Sequence, residues 1–104
     1  MIFLRMLSPD LQELEALAEL LLRKQLAMDI NIKKGIERLE LQDDRVQKRT
    51  INLLTAKTKG LLFNEIQQAI DTFNPNAGIE LYALPITHMN WQQTNQMTRS
   101  IRPV

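Results

Sequence analysis

The stretch LSPDLQELEALAELLLRKQLAMDINI, residues 7–32, decides how the whole chain is read. Within it Leu7, Leu11, Leu14, Ala18, Leu21, Gln25, Met28 and Ile32 follow one another in alternating steps of four and three. Side chains spaced in this way form one stripe along an α-helix, the stripe of a coiled-coil seam. Leu17, Leu20, Leu22, Leu26 and Ile30 widen it beyond what a two-stranded seam covers, so the spacing predicts a bundle rather than an isolated zipper. Ser8-Pro9-Asp10 supplies a start for this helix: a hydroxyl that accepts a free backbone N–H, a proline suited to the first turn, and an acid near the positive end of the helix dipole. Lys33-Lys34-Gly35 supplies an end, with cations in the last turn and a glycine able to turn left-handed beyond it.

Outward from this segment, Asp43-Asp44-Arg45-Val46-Gln47 reads as a capping box in which Asp44 caps and Gln47 sits three residues on. It opens a second predicted helix over residues 44–59. Leu62, Ile66, Ala69 and Phe73 then step by four, three and four, predicting a third helix after Gly60 or a continuation of the second through it. Asn74-Pro75-Asn76-Ala77-Gly78 closes the helical region with turn-forming residues. Residues 79–84, IELYAL, are strand-compatible and bounded by Pro85; such a strand needs a partner, either Ile2 to Leu7 of the same chain or a strand across a dimer. After residue 85 the chain becomes rich in Asn, Gln and Thr, and Trp91, Thr94, Met97 and Ile101 recur at helical spacing behind Asn90. The expected fold is therefore mainly α: a helical hairpin or bundle over residues 1–85, completed by dimerisation or by a partner. A short β element at residues 79–84 and a polar C-terminal arm, residues 86–104, belong to the same domain.

Composition narrows the function. The chain has 104 residues, 13 Lys and Arg against 12 Asp and Glu, one His and no Cys. A chain of this length forms one small core, and without cysteine it holds neither a disulfide framework nor a thiolate metal site. Gly35, Gly60 and Gly78 are far apart, so no phosphate-cradling loop is formed. Ser8 and Ser100 are the only serines, and His88 has no second His or Cys to share a metal. Asp43 and Asp44 lack the alternating acids of a calcium loop. The inventory points away from an enzyme and predicts no cofactor and no metal. The apolar N-terminal residues are interrupted by Arg5, and the Leu-rich stretch carries Glu15, Glu19, Arg23 and Lys24, so neither a leader nor a membrane span of about 20 apolar residues is expected, and the cytoplasm is the expected location.

Two surfaces remain. The Leu stripe and the Trp-bearing arm predict partner contacts through Leu14, Leu21, Met28, Trp91, Met97 and Ile101, as in helix-in-groove recognition. Residues 45–59 carry five cations and no acid, and on a helix Arg45, Lys48, Arg49 and Lys59 share one face that suits phosphates. The leading expectation is a non-catalytic helical interaction protein, an adaptor, chaperone or regulator, acting as a homodimer or with a helical partner. The alternative is a small dimeric nucleic-acid-binding regulator that uses the basic face of residues 45–59.

Overall fold

The computed structural model describes residues 1–76 and 78–104; Ala77, in the expected breaker stretch, lies outside the described residues. Along the chain run β1 (Ile2–Ser8), α1 (Leu11–Arg23), β2 (Met28–Gln42), β3 (Arg45–Thr58), a short 3-10 turn (Gly60–Leu62), α2 (Phe63–Phe73), β4 (Glu80–Pro85) and α3 (Trp91–Ser100). The strands form one antiparallel sheet in the order β2-β3-β1-β4. Each of the two β-α-β units thus has its strands separated by a strand of the other, which is the ferredoxin-like arrangement. The described residues are 41% strand and 36% helix, and the expected mainly helical bundle or coiled coil is incorrect.

The physical reason lies at the end of α1. The helix keeps the Leu periodicity only as far as Arg23, with Leu14, Leu17 and Leu21 buried. The Lys24 N–H then donates to Leu20 O and the Leu26 N–H to Leu21 O, while Gln25 takes a left-handed φ of 55°. Gln25, a member of the expected seam, instead terminates the helix. Beyond it the heptad steps through Met28 and Ile32 coincide with the alternation of a strand, in which every second side chain faces the core. At the other end Ser8 is not the cap: Asp10 accepts the Glu13 N–H at 3.3 Å, and the Ser8 hydroxyl accepts that of Asp10 at 3.1 Å.

The second predicted helix is β3, and its expected capping box is a hairpin turn. Asp43 and Asp44 both adopt positive φ, 52° and 61°, between Gln42 and Arg45, which pair across the two strands. Two left-handed residues make the turn whose twist matches antiparallel strands, and Asp tolerates that conformation better than most residues. Lys33-Lys34-Gly35 does not end a helix either. The register of β2 slips between Lys33 and Ile36, and Gly35 takes a φ of 69° at that bulge.

In the second half of the chain the elements follow the sequence pattern more closely. The third apolar segment forms α2 and stops at Phe73, the strand near residues 79–84 forms β4, and β4 pairs with β1 as part of the four-stranded sheet. Asn90 caps α3 by accepting the Gln93 N–H at 2.9 Å, and Met97 and Ile101 bury against the common core. That core lies between one face of the sheet, bearing Leu4, Met6, Leu54 and Ala56, and the helices, which supply Leu14, Leu17, Leu21, Ile66 and Ile70. Each such large apolar side chain contributes about 1.5–3 kcal/mol on burial.

Where β1 ends, Asn52 is 7% exposed and ties three segments together. Its amide donates to the carbonyls of Ser8 at 3.2 Å and Pro9 at 3.3 Å, and its oxygen accepts the Gly35 N–H at 3.2 Å. Replacing Asn52 with Ala strands those backbone groups in a site with little water. We expect a loss of about 1–3 kcal/mol in denaturant unfolding, and a loss below a few tenths would contradict the assignment.

Candidate functional site

Alternation along the strands gives the sheet a second face. On it Leu7, Ile51 and Leu53 form a small buried cluster with Ile36 packed against them. In register with these, β1 contributes Phe3 and Arg5, β3 contributes Thr55, and β4 contributes Glu80, Tyr82 and Leu84. The Arg5 guanidinium stands 5.5 Å from the centre of the Tyr82 ring, within cation-π range. Beside it Arg38 of β2 grips Glu80 of β4 with two bonds, Nη1 to Oε1 at 3.0 Å and Nη2 to Oε2 at 2.8 Å. The hydrogen bond from Arg38 is the largest influence holding the Glu80 carboxyl below its usual range, against a smaller opposing effect of burial. The same bond raises the Arg38 guanidinium further.

The sheet also overhangs. β1 stops opposite Asn52, so residues 36–42 and 45–51 continue as a two-stranded ribbon. At about 3.4 Å per residue, the 14 residues of β3 account for most of the molecule's longest dimension, 48 Å. One side of the ribbon carries Leu39, Leu41 and Val46, exposed by 61%, 73% and 67%. Glu37 and Lys48 pair on that side at 3.3 Å, and Glu40 and Arg49 pair on the other at 3.1 Å. Both pairs are solvated and worth about 0–1 kcal/mol, too little to support a free ribbon.

The residues singled out from the sequence are dispersed by this fold. Leu14, Leu21, Met28, Met97 and Ile101 are core side chains, each exposed by 3% or less, whereas Trp91 is 84% exposed at the start of α3. Arg45, Lys48 and Arg49 lie on a strand, where alternation sends Lys48 to the opposite side from the other two. Lys59 stands beyond the far end of β3 and donates to the Arg102 carbonyl at 3.1 Å. The helical basic face of residues 45–59 is therefore corrected to two sides of a ribbon, with Lys48 and Arg49 already paired to acids. Sequence reasoning missed Arg5, Arg38 and Glu80; period-two alternation in residues 2–8 and 79–85 was the signal that puts Arg5 and Tyr82 each on one sheet face, and the β1–β4 register makes them neighbours.

Other concave and polar features are modest. An open groove of about 510 Å³ runs between α1, α2 and the C-terminal residues, lined by Leu20, Lys24, Glu65, Phe73 and Arg102 among others. Lys57 Nζ bridges Asp29 Oδ2 at 3.3 Å and Gln93 Oε1 at 3.1 Å, fastening α3 to the sheet. His88 is exposed beside Thr87. Among the described residues no three His, Cys, Asp or Glu side chains converge as a metal would require, and no helix is long and apolar enough to cross a membrane.

The fold defines a ferredoxin-like α/β domain whose β2-β3 hairpin overhangs the rest of the sheet. The family model described as CutA1 divalent ion tolerance protein matches residues 2–99, and the chain belongs to that family. Among solved structures it is similar to CutA1 from Oryza sativa, with 25% identity, a TM-score of 0.85 and coverage of 99% of this chain and 94% of that one. The divalent cation tolerance protein from Thermus thermophilus matches with 21% identity and a TM-score of 0.83 over 98% of this chain and 100% of its own. The periplasmic divalent cation tolerance protein CutA from Archaeoglobus fulgidus gives 22% identity and a TM-score of 0.83, also over 98% of this chain and 100% of its own. No curated protein matches the sequence.

The Arg38–Glu80 grip makes a pH prediction. A carboxyl held below its ordinary value of 4.5 stabilises the fold above that pH, and the contribution drains away as the pH falls through the lowered value. Because Glu80 is half exposed, solvent screening keeps the effect small. In urea titrations Glu80→Gln is expected to be less stable than wild type at neutral pH, with the gap closing below 4.5. A gap that widens on acidification would contradict the pairing.

Proposed function

We propose that the chain serves divalent-cation tolerance as a non-catalytic homo-oligomer, acting through protein-protein contacts rather than by turning over a substrate. The observation that carries this reading is the ribbon itself. Leu39, Leu41 and Val46 project into solvent on strands that no third strand supports among the described residues. An isolated two-stranded hairpin is marginal in water, and a long exposed edge with apolar side chains invites pairing with another chain. Covering the ribbon by further copies removes both liabilities at once. The tolerance role rests on family membership and on the names of the solved relatives, and the non-catalytic part on the sparse inventory of nucleophiles, bases and metal donors.

This reading replaces the helix-in-groove contact expected from the sequence with a strand-borne one, and it leaves the number of copies to measurement. The expected homodimer is one form it can take. Trp91, exposed at the start of α3, is available for a further contact. The cytoplasm is the compartment we assign it, whereas the Archaeoglobus relative is described as periplasmic.

Two measurements test the proposal together. In sedimentation velocity at micromolar concentration the chain is expected to run as a single oligomer, and Leu39→Thr, Leu41→Thr and Val46→Thr combined to shift it toward monomer with an unchanged circular-dichroism spectrum. In cells lacking the gene, growth on graded divalent cation should fall and be restored by wild type but not by the triple variant. A monodisperse monomer, or full rescue by a variant that no longer assembles, would overturn it.

A further inference from the structure

The open groove of about 510 Å³ between α1, α2 and the C-terminal residues has the size of a small-molecule site, for which about 300–1,000 Å³ is usual. It belongs to the helix layer, whereas the ribbon prolongs the sheet, so its occupancy does not rest on self-association. One wall is a single row on α2, in which Glu65, Ala69 and Phe73 follow at steps of four. The other carries Leu20 and Lys24, also four apart, at the end of α1. Carbon is thus offered from both sides, with Phe73 still 40% exposed. The charged lining is Lys24, Arg102 and Glu65, two cations against one acid.

Arg102 is fixed at its backbone, where its N–H donates to the Gln25 carbonyl at 2.9 Å and its own carbonyl accepts from Lys59 Nζ at 3.1 Å. Its guanidinium pairs with the Glu65 carboxylate, and the two side chains are 36% and 48% exposed. A pair so well solvated holds weakly, while the guanidinium fork suits any carboxylate that reaches it. Lys24 enters no ion pair among the described residues. We propose that the groove binds a small amphipathic monocarboxylate, whose carboxylate takes the place of Glu65 on Arg102 with Lys24 as the second cation. Its unbranched apolar body lies between Leu20 and the Ala69–Phe73 row. Glu65 is then an internal competitor that sets the affinity, and a ligand with the same body and a cationic head finds no match.

Octanoate is the probe, titrated into the full chain by calorimetry and by amide NMR, with octylamine as the control of opposite charge. Octanoate is expected to saturate with shifts centred on Leu20, Lys24, Ala69 and Phe73, and octylamine not to. Arg102→Gln leaves both backbone bonds of that residue in place, and affinity is expected to fall by about tenfold or more. Glu65→Gln removes the competitor while keeping the shape, and octanoate is expected to bind several-fold more tightly. A gain of binding on substitution is not a consequence of misfolding, so this second variant decides the matter even where the first is unstable. No saturation by octanoate, equal binding of octylamine, shifts centred elsewhere, or weaker binding by Glu65→Gln overturns the proposal.

Discussion

The buried amide of Asn52 joins three backbone segments at the point where β1 ends: the last carbonyls of that strand and the turn after it, and the N–H of Gly35 at the bulge in β2. Below this junction the strands are backed by helices and by a shared apolar core. Above it the ribbon continues with neither. The amide thus holds the base of an element that no third strand backs among the described residues. A second tie, from Arg38 to Glu80, reaches from the ribbon to the edge strand β4 and works alongside it.

These constraints divide the molecule into a part that folds and a part that is displayed. The helix-facing side of the sheet buries Leu4, Met6, Leu54 and Ala56 and accounts for cohesion. The outer side holds a smaller apolar cluster and a charged margin in which Arg38 is matched within the chain and Arg5 is not. Displayed Leu39, Leu41 and Val46 gain nothing for the monomer, since their exposure leaves the apolar surface in water. The chain belongs to the CutA1 divalent ion tolerance family, and the self-association proposed above would give the displayed ribbon a physical role.

How much was legible from the sequence follows from where local and tertiary signals agree. The α2 segment, the strand before Pro85 and the Asn90 cap were readable because periodicity, breakers and caps all pointed one way at each of them. The decisive segment misled because Leu7, Met28 and Ile32 occur at heptad intervals from the helix although each belongs to a strand. Gln25 and Asp29 take left-handed conformations that no glycine announces, so the break between helix and strand carried no mark. Asp43-Asp44 serves equally as a helix cap or as a two-residue hairpin turn; Thr50, Ile51, Thr55 and Thr58 were the β-branched hint favouring the second. Arg5 as a site residue was beyond reach because its meaning depends on which partners it fails to meet, a property of the folded sheet.

The central claim is that the outer ribbon owes its order to other copies of the chain whereas the core does not. Amide hydrogen exchange read by mass spectrometry at concentrations above and below the association midpoint addresses it directly. Protection of residues 36–51 is expected to fall on dilution while that of α1 and of residues 53–57 stays constant. Ribbon protection that is equally strong in the isolated chain would contradict the account.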